Sequence, residues 1–466
     1  MTAPENRSPQ PDGRGADLPT FRALLATMFQ GALSDNMYRF IIIMLVVILA
    51  QTHAVRQLGE ENAGTEEAQE LATQLASNYQ AIASGLFILP FALAVGLAGW
   101  MSDRYSKTTV TRFTKLMEIG IMSLATLVFL AGPPLIGENY IWAAVGILFL
   151  MGLQSALFSP SKYAILAELL PRNRIGWGNG YLQGFTFFAI VLGTVAGPAL
   201  FGWFEGALWA AGLILVVLAT VGYGASRRMA LTPVANPEAR FRPNPIPMVW
   251  KYGKIILASR GLRWAVLGST IWWLVAVMLQ LAIVQIALNV LDLSPEIAGI
   301  AILPIVVFQG LGSLLVSRLC REGIRLWLVP LGAVAMCLLA VGVTLATPLP
   351  GELVSMREEL GRVPLQYVVG LPLLIGVAAF FMALYIVPLD AYIIQTSDER
   401  HRGGIWATSN VLSSSAMVLG SFLLPVFAGF RGHAADAFAG GGVIMLLAAV
   451  VLAWRFLSFM RKESPS

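Results

Sequence analysis

Apolar runs recur along this chain in windows long enough to cross a bilayer, and no other feature restricts the fold as tightly. FIIIMLVVILA (40–50) and AAGLILVVLATVGYGA (210–225) are two of them. A bilayer core is crossed by ~20 mostly apolar residues in a helix, because a helix satisfies its own backbone hydrogen bonds where there is no water. Charged residues make up 12% of the chain and apolar ones 57%. A soluble domain carries about 25% charged residues, so the usual solvated surface is missing. The chain reads as a polytopic helical membrane protein.

Windows bounded by charges and Pro/Gly breaks give twelve helices, over 21–51, 79–101, 113–132, 140–161, 178–203, 207–226, 264–290, 297–316, 326–346, 367–388, 404–430 and 437–459. If residue 1 is cytosolic, 26 of the 31 Lys and Arg fall on the cytosolic side and four, Arg56, Arg357, Arg362 and Arg431, on the other. The remaining one is Arg39. Basic loops stay in the cytosol, so both termini are expected there. The same bias explains the net charge of +5 without a nucleic-acid partner. The first 20 residues lack the apolar core of a signal peptide and read as a disordered cytosolic tail, and 460–466 as a cytosolic tail. Cys320 and Cys337 match neither a disulfide framework nor a metal site.

The loop 227–263 divides the chain into a six-helix half at 21–226 and another at 264–459. Rich in Pro and Arg, it reads as a tether. Its end, MVWKYGKIILASRGL, fits an amphipathic helix on the anionic inner leaflet. TEEAQELATQLASNY carries an apolar stripe that extends the second span outward. The halves also repeat. FSPSKYAILAELLPRNRIG (158–176) and IVPLDAYIIQTSDERHRGG (386–404) align at an offset of 228, pairing Pro160 with Pro388, Ile165 with Ile393, Arg172 with Arg400, Arg174 with Arg402 and Gly176 with Gly404. Two related halves around a midplane site are a transporter architecture.

GWMSDRYSK, with Gly99, Asp103, Arg104 and Lys107, resembles the major-facilitator signature G-x-x-x-D-R-x-G-R-K, with Ser106 at the second Gly. A Gly there lets helices approach closely, and an Asp can bond a neighbouring helix N-terminus. The group is expected to latch one conformation. The matching loop SRLCREGIR has no Asp in that register, so a latch there is weaker. G-T-V-A-G-P (193–198) fits helix packing better than an antiport element.

Charges inside spans are costly and tend to face a cavity and a partner. Asp35 and Arg39 are i, i+4 on one helix face in the order favourable to an ion pair. They read either as a pair locking the first span or as cavity residues that exchange partners. Lys162 and Asp390 hold matching places in the repeat and fit opposite walls of an inner vestibule, although a lysine there can also snorkel. Lys115 with Glu118, and Gln154, Gln183, Gln280, Gln285 and Gln309, fit helix-to-helix hydrogen bonds. Enzyme chemistry is not apparent. Neither His53, His401 nor His433 begins an H-x-x-x-x-D acyltransferase pattern, and no G-x-x-x-x-G-K-[ST] loop exists. No motif calls for a cofactor or metal.

Together FQGALSDNMYRF (29–40), GLFILPFALAVGLAGWMSDRYSK (85–107), KLMEIGIM (115–122), LMGLQSALFSPSKYAILAELLP (150–171), GNGYLQGFTFFAIVLGTVAG (178–197) and ALYIVPLDAYIIQ (383–395) resemble the bacterial lysophospholipid transporters of the major facilitator superfamily. They equally resemble the transporter-like portion of fused acyltransferase proteins. The resemblance implies an all-α, twelve-helix major facilitator fold in the bacterial inner membrane, monomeric and among membrane lipids. It implies that lysophospholipid, chiefly lysophosphatidylethanolamine, is flipped inward for re-acylation by a separate acyltransferase. Asp35, Asn36, Lys162 and Tyr163 fall on family motif positions. Arg39 and Asp390 depart from the pattern, and both alter cavity charge. A proton-coupled exporter of drugs or small solutes on the same fold, with Asp35 carrying the proton, is the competing reading.

Overall fold

A computed structural model describes residues 17–59, 61, 65–241, 244, 246–287, 303–348, 364–428 and 435–463. The tail up to residue 16, the start of the expected span at 297, most of the segment 347–366, and Arg357, Arg362, Arg431 and His433 lie outside them. The described residues contain helices and no strand.

The first half comprises α1 (Leu18–Leu58), α2 (Glu66–Leu93), α3 (Val95–Arg104), α4 (Lys107–Ile136), α5 (Asn139–Ala164), the short α6 (Leu166–Leu169), α7 (Ile175–Trp203) and α8 (Leu208–Arg227). Helix α9 (Ile246–Ala258) follows. The second half comprises α10 (Arg260–Gln285), α11 (Leu303–Leu319), α12 (Leu328–Ala346), α13 (Leu371–Thr396), α14 (Arg402–Ala428) and α15 (Asp436–Glu463). Ten described helices are long and apolar enough to cross a membrane, α2 with α3 makes an eleventh as a pair bent by 50°, and α11 is a shorter apolar helix. Each of the twelve expected spans therefore meets a helix. The bend falls at Ala94, one turn after Pro90, which removes a backbone donor from the preceding turn. TEEAQELATQLASNY does lengthen α2.

In the first half α1 packs against α2, α5, α7 and α8; in the second, α13 packs against α10, α11 and α12. The halves meet through α3 on α14 and, in the matching positions, α11 on α7. These are the second and fifth spans of opposite halves, as a repeat related by a two-fold axis requires. One apolar core, around Tyr38, Ile42, Leu45, Met122, Leu148 and Leu215, belongs to the first half alone. Another runs from Phe21, Leu166 and Ile175 through Tyr252 and Val316 to Ile393 and Ile405. It joins both halves at the end bearing the basic loops, called the basic end below.

The G-T-V-A-G-P segment serves packing. A methyl at Gly193 would meet the Leu33 carbonyl at 2.7 Å and Asn36 Cβ at 2.7 Å, and one at Gly197 the Met37 carbonyl at 2.7 Å. The two bare positions let α7 lie on the backbone of α1, the close approach that small-xxx-small spacing allows. The loop after α8 differs from the tether expected of it. Ala230 N–H donates to Thr20 Oγ1, Thr108 Oγ1 to the Ala230 carbonyl, and Asn236 N–H to the Asp103 carbonyl. Arg112 on α4 donates to the carbonyls of Ser226, Arg227 and Met229. A fixed guanidinium holding several carbonyls draws this stretch onto the first half despite its Pro-rich composition.

Gly197→Val is expected to push α7 off α1 at about 1–3 kcal/mol, the range of overpacking. Gly224→Val is the control, because nothing lies within 4 Å of a Cβ there. Thermal unfolding of the two variants in detergent checks this: only Gly197→Val should melt earlier.

Candidate functional site: a charged face and a closed basic end

The charged face is built on α1 and α5. Asp35 and Arg39 stand one turn apart on α1; Ser155 and Lys162 stand seven residues apart on α5, two turns along one face. All four keep part of their surface uncovered, unlike the fully buried Ser34 and Tyr38 beside them. Ser155 Oγ donates to Asp35 Oδ2 at 2.7 Å and lies 3.3 Å from Gln154 Oε1, while Gln154 Nε2 donates to the Thr114 carbonyl.

The Asp35–Arg39 ion pair is not formed. Among the described residues no acid pairs with Arg39, and its Nε is buried without a hydrogen-bond partner. Asp35 Oδ1 is likewise unpartnered. Ser155 on α5 takes the carboxylate, and the guanidinium is left over. Lys162 has no acid in hydrogen-bond reach among the described residues; its Nζ lies 4.9 Å from the centre of the Tyr163 ring. Its strongest opposite charge is Asp35. The face thus presents two unpaired cations and one half-satisfied carboxylate. Asn36 points elsewhere, donating to the Ala32 carbonyl and packing on Gly193.

Behind the face lies a closed ionic cluster. Lys115 Nζ donates to Glu118 Oε2 at 2.6 Å and to Gln30 Oε1 at 2.9 Å, and Gln30 Nε2 donates to Glu118 Oε1 and Ser34 Oγ, both at 2.8 Å. These four side chains are buried and paired with one another, so the cluster ties α1 to α4. Losing one partner of such a buried pair costs ~3–5 kcal/mol. Sequence reasoning had Lys115 and Glu118 but not Gln30, Ser34 or Ser155. The seven-residue spacing from Ser155 to Lys162 was the available signal for the last.

Asp390 does not form an open wall opposite Lys162. It is buried, with Gln183 Nε2 donating to Oδ2 at 2.9 Å and Ser269 Oγ to Oδ1 at 3.1 Å. Gln183 lies on α7 of the other half, so the carboxylate clamps the halves together. One turn nearer the basic end, Asn179 Nδ2 donates to the Val387 carbonyl. Tyr163 stacks on Trp406 of α14, with ring centres 4.4 Å apart and planes at 29°.

The signature loop sits where these contacts end. Asp103 Oδ1 accepts Gly403 N–H at 2.9 Å, and Oδ2 accepts Gly404 N–H at 3.2 Å and the Tyr252 hydroxyl at 3.1 Å. The carboxylate thereby caps the first turn of α14, where backbone donors are unpaired and the helix dipole favours a negative charge. A methyl at Gly403 would meet Asp103 Oδ1 at 2.6 Å and one at Gly99 would meet Ala407 Cβ at 3.2 Å; bare backbone brings α3 and α14 together. Lys107 is fully buried and pairs with Glu168 of α6. Glu168 also faces Arg402 of the second half. Arg104 is half-exposed and forms no ion pair among the described residues. Ser106, at φ −55°, needs no glycine. Tyr252 was missed, since nothing in a loop sequence marks a hydroxyl for a distant carboxylate. The matching contact between α11 and α7 has no carboxylate: Cys320 lies on Gly176, and Ser317 Oγ donates to the Trp177 carbonyl at 2.7 Å.

A sequence model of the Major Facilitator Superfamily matches residues 24–356. The lysophospholipid transporter LplT of Enterobacter sp. (strain 638) is 27% identical over 366 residues, covering 75% of this chain and 80% of that protein. Among solved structures, the human organic anion transporter MFSD10 (TETRAN) superposes with a TM-score of 0.70 at 15% identity, over 93% of this chain and 100% of that one. The E. coli fucose:proton symporter FucP superposes with a TM-score of 0.67 at 11% identity, over 95% and 99%.

Asp103→Ala strands three donors at a closed interface, each such bond to a charged group being worth about 1.5–3 kcal/mol. The expected result is faster alkylation of Cys320, by roughly tenfold or more on that scale, in a protein that still elutes as a single species. An unchanged rate would mean that the cap does not hold the basic end shut.

Proposed function

We propose that this chain, which belongs to the major facilitator superfamily, carries lysophospholipids across the bacterial inner membrane by alternating access. Cargo, chiefly lysophosphatidylethanolamine, is moved inward for re-acylation by a separate acyltransferase. The basic end faces the cytosol, as do both termini, which follows the distribution of Lys and Arg. The two halves, 21–226 and 264–459, rock about the charged face, with 227–263 connecting them.

The observation that carries this reading is the unpaired state of Arg39 and Lys162 beside Asp35 within the first half. A buried cation without a partner is costly in a bilayer, and a bound anion removes that cost. A lysophosphatidylethanolamine headgroup offers a phosphate for Arg39 or Lys162, an amine for Asp35, and one acyl tail for the apolar helices. Charge-assisted hydrogen bonds of this kind are about twice as strong as neutral ones. The relatives named as lysophospholipid transporters support the same class of cargo. Among the described residues the side-chain hydrogen bonds between the halves gather at the basic end, which fits a state that receives cargo from the other side.

A second reading, a proton-coupled exporter of small solutes, draws on the unpartnered Asp35 Oδ1, which offers a place for a proton.

Uptake of labelled lysophosphatidylethanolamine into proteoliposomes, with and without ion gradients, separates the two. Arg39→Ala together with Lys162→Ala is expected to lower uptake by at least about tenfold, the effect of losing one charge-assisted contact. Uptake that is unchanged in this variant would remove these residues from the site. Acid-driven efflux of a solute that disappears in Asp35→Asn, without lysolipid uptake, would establish the exporter.

A further inference from the structure

The latch has a third partner that neither half's span supplies. Helix α9 is amphipathic on two sides. Its inner face, Tyr252 and Ile256, is buried on α14 and α10. From that face Tyr252 donates its hydroxyl to Asp103 Oδ2, and its ring covers Gly404. Burial beside the Asp103 carboxylate pushes the Tyr252 hydroxyl further up from its ordinary range, so it remains a donor. Met248, one turn earlier, reaches Gly99. This helix therefore touches α3 of the first half and α14 of the second across the closed basic end.

The outer face carries something else. Ile246, Trp250 and Leu257 are 72%, 68% and 66% exposed, and they fall on one stripe at helical spacing. Lys251 and Lys254 are exposed alongside, with Lys254 Nζ 5.3 Å from the centre of the Trp250 ring. Exposed Arg260 follows directly. From residue 239 to residue 291 the chain has no acidic residue. Apolar side chains with a tryptophan, flanked by lysines and free of acids, are what seats a helix in a leaflet of anionic headgroups.

We infer that α9 reads the lipid surface and sets the latch: anionic headgroups bind its outer face, and that binding holds Tyr252 and Met248 on Asp103 and Gly99. Binding that favours the closed arrangement over the open one shifts the population by its differential affinity. The inference takes from the proposed function only that the basic end opens during transport. It holds whatever the cargo is.

Cys320 supplies the readout, because it is fully buried against Gly176 at the basic end. With Cys337→Ala it is the single thiol, so its alkylation rate reports opening. The full chain is reconstituted in phosphatidylcholine vesicles and in equimolar phosphatidylcholine–phosphatidylglycerol vesicles. Alkylation is expected to be about three- to thirtyfold slower with phosphatidylglycerol, the upper end being what two lysines near an anionic surface support. Lys251→Gln with Lys254→Gln should abolish that difference, and Tyr252→Phe should abolish it while leaving α9's charges intact. Arg227→Gln with Arg228→Gln, also exposed at the basic end, should leave it unchanged. Equal rates in the two lipids, a difference that survives loss of both lysines, or one lost equally in the Arg227/Arg228 variant would overturn the inference. None of these readouts involves lysolipid, so a failed uptake assay does not affect them.

Discussion

The closed basic end depends on one carboxylate meeting one helix terminus. Asp103 takes two backbone N–H groups of α14 and one hydroxyl of α9, so two segments that are distant in sequence converge on its two oxygens. The geometry is available because bare Gly99 and Gly403 let α3 approach α14, and bare Gly404 makes room for the Tyr252 ring. Remove the charge and the first turn of α14 has unpaired donors in a dry interface. The repeat shows what the arrangement is without it. At the matching junction Cys320 rests on Gly176 and Ser317 donates to a carbonyl, a contact with no carboxylate. One junction is held by a polar catch and the other by packing alone, so when the catch releases, the packed junction, with Cys320 in it, is free to part as well.

The polar groups inside the membrane fall into two kinds. Lys115, Glu118, Gln30 and Ser34 close on one another and hold α1 to α4. Asp390, with Gln183 and Ser269, holds the halves together. In both groups each carboxylate oxygen already has a donor from the protein. Arg39 and Lys162 differ because they are charged, partly uncovered and unpaired, and Asp35 has one oxygen free. Unpaired charges inside a membrane are costly unless something completes them, and this is the ground on which these residues, rather than the closed groups, are proposed to meet the cargo.

The span pattern, the repeat and the Asp103 register were all legible in the sequence, since each rests on local spacing: twenty apolar residues, a constant offset, a fixed Gly-to-Asp distance. Partner identity was not legible. Asp35 and Arg39 have the spacing of a pair, yet Ser155 on another helix takes the carboxylate, because approach between helices decides which donor is nearer. Asp390 looked like a cavity wall for the same reason: its partners lie 121 and 207 residues away in sequence. The loop after α8 read as a tether from composition, but Arg112 collects its carbonyls. Tyr252 is the hardest case, since its role exists only once α3, α9 and α14 are in place.

The central claim is that lysolipid binding at the charged face releases the catch at the basic end. Paired spin labels report it directly: Gln51 with Leu345 across the outer end, and Asn173 with Glu399 across the basic end, all four exposed. Adding lysophosphatidylethanolamine to the reconstituted protein should shorten the first distance and lengthen the second. If neither distance distribution changes at saturating lysolipid, the account is contradicted.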